Sequence, residues 1–277
     1  MKVAVIQMVS GTDVDGNLQQ ARTLLKKAAA LEAELAVLPE YFCLMGRQDA
    51  DKLTVAEPLG AGPLQQFLAD CAKETGLWLV GGTLPLTHNT PGVAEPNNRV
   101  FNSSLVFSPA GERVARYDKI HLFRFDNGRE HYDESVVLAP GTLPTTFDLP
   151  SKDGHTWRIG LSVCYDLRFA ELYRLYATAG THLLLVPAAF THTTGQDHWE
   201  VLLRARAIEN LAFVGAAAQG GVHDNQRHTW GHAMLVDPWG KILAQREQGA
   251  GVVLAELDMA LLQACRSRLP ALQHRVL

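Results

Sequence analysis

The sequence is poor in the features that mark disulfide-rich, zinc-binding and membrane proteins. It has four cysteines in 277 residues, and none of them lies in a Cys-x-x-Cys pair. That spacing is typical neither of a zinc site nor of a disulfide framework, and it favours a reducing, cytoplasmic environment. No run of about 18 apolar residues is present, so the sequence predicts no membrane-spanning helix. The cysteines are Cys43, Cys71, Cys164 and Cys265.

Positive charge is also in short supply. The chain has 25 Lys and Arg residues against 29 Asp and Glu residues, a net charge of −4, and the basic residues are scattered. Because no basic stripe is present, we expect no nucleic-acid partner. The apolar run at residues 3–6 is too short for a signal peptide.

Short apolar runs alternating with amphipathic stretches are abundant. In the first half they predict strands over 2–8, 35–38 and 77–82, with helices over 17–34 and 63–74. Asn17 is the expected cap of the first helix. The second half predicts strands over 159–163, 181–186, 212–218 and 252–257, and helices over 169–180 and 196–211. Strand-helix-strand units of this length imply parallel strands joined by right-handed crossovers.

Each half also ends in a predicted hairpin with a Pro and Gly turn, at 101–118 and at 231–245, while 128–149 resembles a loop. The similarity of the halves predicts an α/β fold in which two sheets pack together, each covered by helices on its outer face. This is a four-layer α-β-β-α sandwich. A single doubly wound sheet with extra hairpins is the alternative. No linker or low-complexity stretch interrupts the chain, so we expect one domain over residues 1–277.

Cys164 stands where a predicted strand turns sharply towards a helix. Open α/β sheets bind their ligands at the carboxyl ends of strands. A thiol at a helix N-terminus also feels the positive end of the helix dipole, which favours the thiolate. Cys164 is therefore a candidate nucleophile, and a buried structural cysteine remains the alternative.

Three charged residues could complete such a site. Glu40 follows a predicted strand and a proline, which suits a general base at the same rim as Cys164. Lys119 follows the strand end at 113–118 and precedes an apolar run, so its ammonium could stabilise an oxyanion. Each residue taken alone also fits a solvated surface position. Glu134 lies in the loop-like stretch and signals nothing alone.

Taken together, three motifs resemble the nitrilase superfamily of carbon-nitrogen hydrolases. They are Leu38-Pro-Glu-Tyr-Phe42, Tyr117-Asp-Lys-Ile-His-Leu-Phe123 and Val163-Cys-Tyr-Asp-Leu-Arg-Phe169. The resemblance covers nearly the whole chain and implies the α-β-β-α sandwich. It also implies Glu40 as general base, Lys119 as stabiliser of the oxyanion and Cys164 as nucleophile. Glu134 matches the family's second glutamate, although the charged segment at 124–131 departs from the expected form.

The stretches at 186–191, 198–209 and 236–240 are similar to the superfamily branch that contains deaminated glutathione amidase. The sister branch, ω-amidase, acts on α-ketoglutaramate. The resemblance implies a small-molecule amide substrate, a thioester intermediate, a homodimer and no cofactor. It also implies that Arg168 binds a substrate carboxylate and that Tyr165 contributes a backbone N–H to the oxyanion. Three further residues, at a predicted strand end, could line the pocket mouth: Phe190, Thr191 and Thr194.

Two other functions remain open from the residues. His198-x-Glu200 downstream of a strand-end cysteine resembles a glutamine amidotransferase, which would make His198 the base. The second function, a binding or scaffold protein, would require a broken catalytic triad.

For Arg168, a salt bridge to Glu171 is the alternative, and it would remove Arg168 from the pocket. No metal-ligand spacing is present, and we expect no metal site.

Overall fold

A computed structural model describes residues 1–87 and 99–276, which form eighteen β-strands and five α-helices. The first-half strands are β1 (Lys2–Met8), β2 (Leu35–Val37), β3 (Trp78–Val80), β4 (Leu84–Leu86), β5 (Val100–Phe107), β6 (Arg113–Asp118), β7 (Arg124–Asp126), β8 (His131–Asp133) and β9 (Leu138–Ala139). The others are β10 (Thr145–Pro150), β11 (Thr156–Leu161), β12 (Leu183–Leu185), β13 (Phe213–Ala216), β14 (Ala218–Val222), β15 (His228–Trp230), β16 (Ala233–Val236), β17 (Ile242–Arg246) and β18 (Gly251–Glu256). The helices are α1 (Val14–Ala30), α2 (Pro63–Thr75), α3 (Ala170–Thr178), α4 (His192–Asn210) and α5 (Met259–Arg268).

Two large sheets organise these strands. The first has the order β15-β14-β1-β2-β3-β5-β4, with β18 paired to β1 and with β6 and β9 paired to β5. The second has the order β10-β11-β12-β13-β16-β17. The strands β1, β2 and β3 run parallel, as do β11, β12 and β13. The single doubly wound sheet is therefore wrong, because the predicted strands divide between two sheets.

Strand β1 shows why the fold has four layers. Val3 and Val5 belong to the core between the two sheets, whereas Ala4, Ile6 and Met8 belong to the core beneath the helices of the first sheet. Successive side chains of a strand point to opposite faces, so both faces of β1 are buried. Helices α1 and α2 pack on the first sheet, and α4 packs on β13 and β16 of the second. The predicted α-β-β-α sandwich is confirmed.

Several predicted boundaries were wrong. Helix α1 begins at Val14, and Asn17 does not cap it. The Asn17 side chain accepts a hydrogen bond from Gly11 N at 2.8 Å and donates to Cys43 O at 3.0 Å, so it ties two loops together. Helix α4 begins at His192, four residues before the predicted start. Its preceding residue, Thr191, accepts a capping hydrogen bond from the backbone N of Thr194.

The pairing of strands explains two further differences between the predicted and observed elements. The stretch predicted as a loop at 128–149 contains β8, β9 and most of β10. Strand β8 pairs with the neighbouring β7 and β10 with the neighbouring β11, whereas β9 pairs with the distant β5. The strand predicted over 212–218 is divided at Ala217 into β13, in the second sheet, and β14, in the first. The apolar run is continuous because both parts are buried. No helix in the described residues is long and apolar enough to span a membrane.

Gly82 supports the segment that carries Glu40. Its φ is +55°, and a Cβ added there would lie 2.1 Å from Pro39 O. Gly76, which follows α2, also has a positive φ of +67°, but a Cβ there would meet nothing within 4 Å. The two glycines therefore share the backbone strain that a substitution introduces, and only Gly82 adds a steric conflict with the backbone.

We expect Gly76→Ala to lower the free energy of unfolding by about 1–2 kcal/mol, the cost of a left-handed backbone for an L-residue. Gly82→Ala should cost at least about 1 kcal/mol more and should also lower kcat, because Pro39 must move. Urea unfolding and steady-state kinetics measure both effects. Equal stability and equal turnover in the two variants would contradict the role given to Gly82.

Candidate active site

Cys164 lies just beyond the end of β11, on a strained turn. Its φ is +50°, in the left-handed region that non-glycine residues rarely adopt. Its backbone N donates to Pro187 O at 2.9 Å. Buried Asp166 anchors the turn, since it accepts hydrogen bonds from Val163 N at 2.8 Å and from the Tyr117 hydroxyl at 2.7 Å. Strain of this kind persists only where surrounding contacts hold it, and it is common at functional sites.

The predicted electrostatic environment of the thiol was wrong. Residues Cys164–Arg168 form a short 3-10 helix, and α3 begins only at Ala170. Burial raises the pKa of the Cys164 thiol well above its usual value, and the nearby Glu40 carboxylate raises it further, while Lys119 acts in the opposite direction. The resting group is therefore a protonated thiol, and a nearby base must accept its proton before it can act as a nucleophile.

Glu40 is such a base by position. It is 1% exposed and follows β2, and its side chain lies within hydrogen-bonding reach of the Cys164 thiol. One carboxylate oxygen accepts from Lys119 Nζ at 3.0 Å and from Asn102 Nδ2 at 2.9 Å. The other accepts from the backbone N of Ala189 at 2.9 Å. These three donors hold the carboxylate in one orientation.

Lys119, at the end of the β5–β6 hairpin, is completely enclosed. Its ammonium lies 3.0 Å from Glu40 Oε1 and 2.8 Å from Glu134 Oε2. Burial acts to lower the pKa of Lys119, but the carboxylates of Glu134 and Glu40 outweigh it, so the pKa is raised above its ordinary value. The side chain is thus a fixed positive charge, and the solvated surface lysine is wrong.

Glu134 completes this charged cluster. Strands β7 and β8 form a hairpin that returns the chain to Phe123, where Glu134 N donates to Phe123 O at 3.0 Å. The carboxylate accepts from Phe123 N at 2.7 Å and from the Tyr41 hydroxyl at 2.8 Å. Burial acts to raise its pKa, but Lys119 outweighs it, so the pKa is lowered and Glu134 is ionised. The charged segment at 124–131 is this hairpin.

A cavity of about 310 Å³, measured with its open mouth, lies over Cys164. Every residue predicted to catalyse or to bind substrate lines it, apart from the enclosed Lys119. The lining residues predicted from the sequence are Glu40, Glu134, Cys164, Tyr165, Arg168, Phe190, Thr191 and Thr194. The lining residues that the sequence did not identify are Tyr41, Phe123, Ala189 and Arg227.

Arg168 is held at the cavity by aromatic rings. Its guanidinium lies 5.6 Å from the Tyr165 ring centroid and 5.5 Å from that of Phe190. Its Nη1 is 3.2 Å from His198 Nδ1, and no ion pair to Glu171 is present among the described residues. The exposed His198 therefore contacts Arg168, whereas Glu40 adjoins the thiol, so the amidotransferase arrangement is not formed.

Two supporting residues escaped sequence analysis for different reasons. Tyr41 follows Glu40 in the first motif, but its contact with Glu134 spans 93 positions and depends on the tertiary fold. Asn102 begins a run of three polar residues, 102–104, inside the otherwise apolar strand β5, and that run was a usable signal. In the part of the chain that the structure describes, no group of His, Cys, Asp or Glu side chains could hold a metal ion.

Comparisons with known proteins agree with this geometry. The family model for carbon-nitrogen hydrolases matches residues 2–267. A relative from Synechocystis named deaminated glutathione amidase is 40% identical over 275 residues, with 99% of this chain and 97% of that protein covered. The human protein of that name is also 40% identical, with 99% and 81% covered.

Solved structures give the same result. A Saccharomyces cerevisiae protein described as a member of branch 10 of the nitrilase superfamily superposes with a TM-score of 0.84 at 32% identity, covering 98% of this chain and 94% of that one. A Xanthomonas campestris CN-hydrolase superfamily protein with an arsenic adduct in its active site superposes with a TM-score of 0.83 at 30% identity, covering 99% and 97%. The match over nearly the whole sequence, together with the shared fold, shows that this chain belongs to the carbon-nitrogen hydrolase family of the nitrilase superfamily.

Proposed function

We propose that this enzyme is an amidase that hydrolyses an α-keto acid amide through a cysteine thioester, and that deaminated glutathione is its substrate. The observation that carries the proposal is the buried Lys119 ammonium between two carboxylates, beside a protonated thiol at the bottom of a cavity. The relatives named deaminated glutathione amidase support the substrate. The sister activity, ω-amidase on α-ketoglutaramate, is the second candidate, because the same catalytic groups would serve both.

Acylation begins with proton transfer from Cys164 to Glu40. The sulfur then attacks the amide carbonyl carbon, a C–S bond forms, and the carbonyl π electrons move to oxygen. The ammonium of Lys119 and the backbone N–H of Tyr165 stabilise that oxyanion. When the intermediate collapses, the C–N bond breaks and Glu40 returns its proton to the departing amine. The acyl group remains on sulfur as a thioester.

Hydrolysis of the thioester uses the same base. Glu40 accepts a proton from a water molecule as its oxygen attacks the thioester carbonyl. The second oxyanion uses the same donors, and its collapse breaks the C–S bond and returns a proton from Glu40 to sulfur. Glu134 takes no proton in this scheme. It holds Lys119 in place and keeps the ammonium charged, which the raised pKa of Lys119 supports.

The acid end of the substrate is assigned to Arg168. A guanidinium can form two parallel hydrogen bonds to a carboxylate, and cation–π contacts with the rings of Tyr165 and Phe190 hold that of Arg168 at the cavity. Thr191 and Thr194 contribute hydroxyls near the cavity mouth, where their Oγ1 atoms lie 2.9 Å apart. A carboxylate held at Arg168 would set the scissile amide over Cys164.

We further propose that the enzyme forms one domain over residues 1–277, works as a homodimer and acts in the cytoplasm. The chain passes from the second sheet back to the first between β13 and β14, which supports a single folding unit. The cysteines are unpaired, as a reducing compartment favours. The dimer rests on the family resemblance.

The substrate test compares kcat/KM for deaminated glutathione with that for α-ketoglutaramate, with the keto acid product measured in both assays. We expect the enzyme to prefer deaminated glutathione, because the branch motifs and the named relatives agree on it. A clear preference for the shorter acid would move the enzyme to the ω-amidase branch. Absence of turnover on both would contradict the proposed function.

Glu40→Gln should lower turnover and at the same time make the Cys164 thiol more reactive towards an alkylating agent. Loss of the base should lower kcat by about 10²–10⁴-fold. The Glu40 carboxylate raises the pKa of Cys164, so its removal should lower that pKa and speed alkylation of Cys164 by iodoacetamide at neutral pH. Site-resolved mass spectrometry over a pH series measures this, with Glu130→Gln as the control. Slower alkylation in Glu40→Gln would contradict the effect of Glu40 on the pKa of Cys164, and an unchanged kcat would contradict Glu40 as the base.

Arg168→Lys keeps the positive charge but loses the forked geometry. We expect kcat/KM for carboxylate-bearing amides to fall by a factor of about 10–100. This corresponds to about 1.5–3 kcal/mol, the value of a hydrogen bond to a charged group. A small neutral amide should lose far less, and it serves as the internal control. Equal losses on charged and neutral amides would show that Arg168 supports the cavity without binding a carboxylate.

A further inference from the structure

We propose that Arg227 forms a second carboxylate-binding subsite, which holds the acid group on the amine side of the scissile amide. The proposal rests on the proposed function and extends it. It makes the enzyme selective for substrates that carry a carboxylate on each side of the reacting bond. Arg168 would bind the keto acid end, and Arg227 would bind the carboxylate of the departing peptide.

Arg227 lies where two cavities meet. It is in the turn between β14 and β15, and it lines both the cavity over Cys164 and an adjoining open cavity of about 750 Å³. In the proposal, a substrate with its amide at Cys164 extends past Arg227 towards the second cavity. The cavity over Cys164 is small, so the adjoining one provides the room that a peptide leaving group needs.

Within residues 1–87 and 99–276, the guanidinium of Arg227 has no hydrogen-bond acceptor. It lies 5.2 Å from the Tyr132 ring centroid, and its Nε is buried with no hydrogen-bond partner. Among the described residues, no carboxylate forms an ion pair with it. Asp49 also lines the adjoining cavity, but its carboxylate pairs with Lys52 at 2.7 Å. Buried donors of this strength are almost always satisfied, so an acceptor from a ligand is the expected partner.

The turn that carries Arg227 is held in place before any ligand arrives. Its backbone N donates to Asn225 Oδ1 at 2.9 Å, and its carbonyl accepts from His223 N at 2.9 Å. Asn225 Nδ2 in turn donates to Met45 O at 3.1 Å and to Gly46 O at 2.6 Å. A guanidinium that is already positioned loses less entropy when it binds, so it discriminates more strongly.

Arg168 and Arg227 are carried by separate elements and lie near different aromatic rings, Arg168 near Tyr165 and Phe190 and Arg227 near Tyr132. One small carboxylate has no need of two such groups around a single nucleophile. Deaminated glutathione has a keto acid at one end and a glycine carboxylate at the other, with the scissile amide between them. α-Ketoglutaramate has only the first, so the Arg227 subsite distinguishes the two candidate substrates.

The test measures kcat/KM for three compounds: deaminated glutathione, the same compound with its glycine carboxylate converted to a carboxamide, and α-ketoglutaramate. We expect Arg227→Met to lower the value for deaminated glutathione by about 10- to 100-fold, with little change for the other two. The preference of the wild-type enzyme for the free carboxylate over the carboxamide should disappear in Arg227→Met, as expected when two groups interact directly.

Two further variants keep the result interpretable. Arg129→Gln removes one positive charge from an exposed loop outside both cavities, and it should behave as wild type on all three compounds. Arg227→Lys should recover part of the loss on deaminated glutathione alone, which a variant damaged in folding would not do. Equal losses on all three compounds in Arg227→Met, with wild-type turnover of deaminated glutathione intact, would overturn the subsite only. A wild-type enzyme that does not hydrolyse deaminated glutathione would overturn both proposals.

Discussion

The buried ammonium of Lys119 is the charge on which the rest of the site depends. It lies between Glu40 and Glu134, and none of the three is more than 10% exposed at its side chain. Removing Lys119 would leave two buried carboxylates without their common counter-charge, which is strongly destabilising. Asn102 and Ala189 N donate further hydrogen bonds to the Glu40 carboxylate, and the Tyr41 hydroxyl donates one to Glu134, so both carboxylates are fixed in orientation.

This cluster also joins the two halves of the sandwich. Glu40 and Lys119 follow strands of the first sheet, whereas Cys164 follows β11 of the second. The hydrogen bond from Ala189 N, just beyond β12, to Glu40 crosses between them. Burial raises the pKa of the Cys164 thiol, and the Glu40 carboxylate, which reaches it from the first sheet, raises that pKa further. Packing between the sheets therefore sets the electrostatic environment of the thiol.

The sequence predictions succeeded where they depended on neighbouring residues and failed where they depended on contacts between distant parts of the chain. Hydrophobic runs and the motifs around Glu40, Lys119 and Cys164 are local, and they led to the correct layers and to a cavity lined as expected. The thiolate prediction failed because it considered only the following helix and omitted the burial of the thiol and the carboxylates that the fold brings near it. Asn17 was misassigned for a similar reason, because its partner at Cys43 is in another loop.

By itself, the sequence determined the strand-helix alternation, the strand ends that carry the reactive residues and the family to which the chain belongs. These features depend on patterns within a few residues, where burial and turn chemistry act. Only the tertiary structure determined the protonated state of Cys164, the hairpin that brings Glu134 to Lys119, and the place of Arg227 at the junction of two cavities. Each of these depends on groups far apart in the chain, because electrostatic interactions and hydrogen bonds depend on distance in the folded structure and not on distance along the sequence.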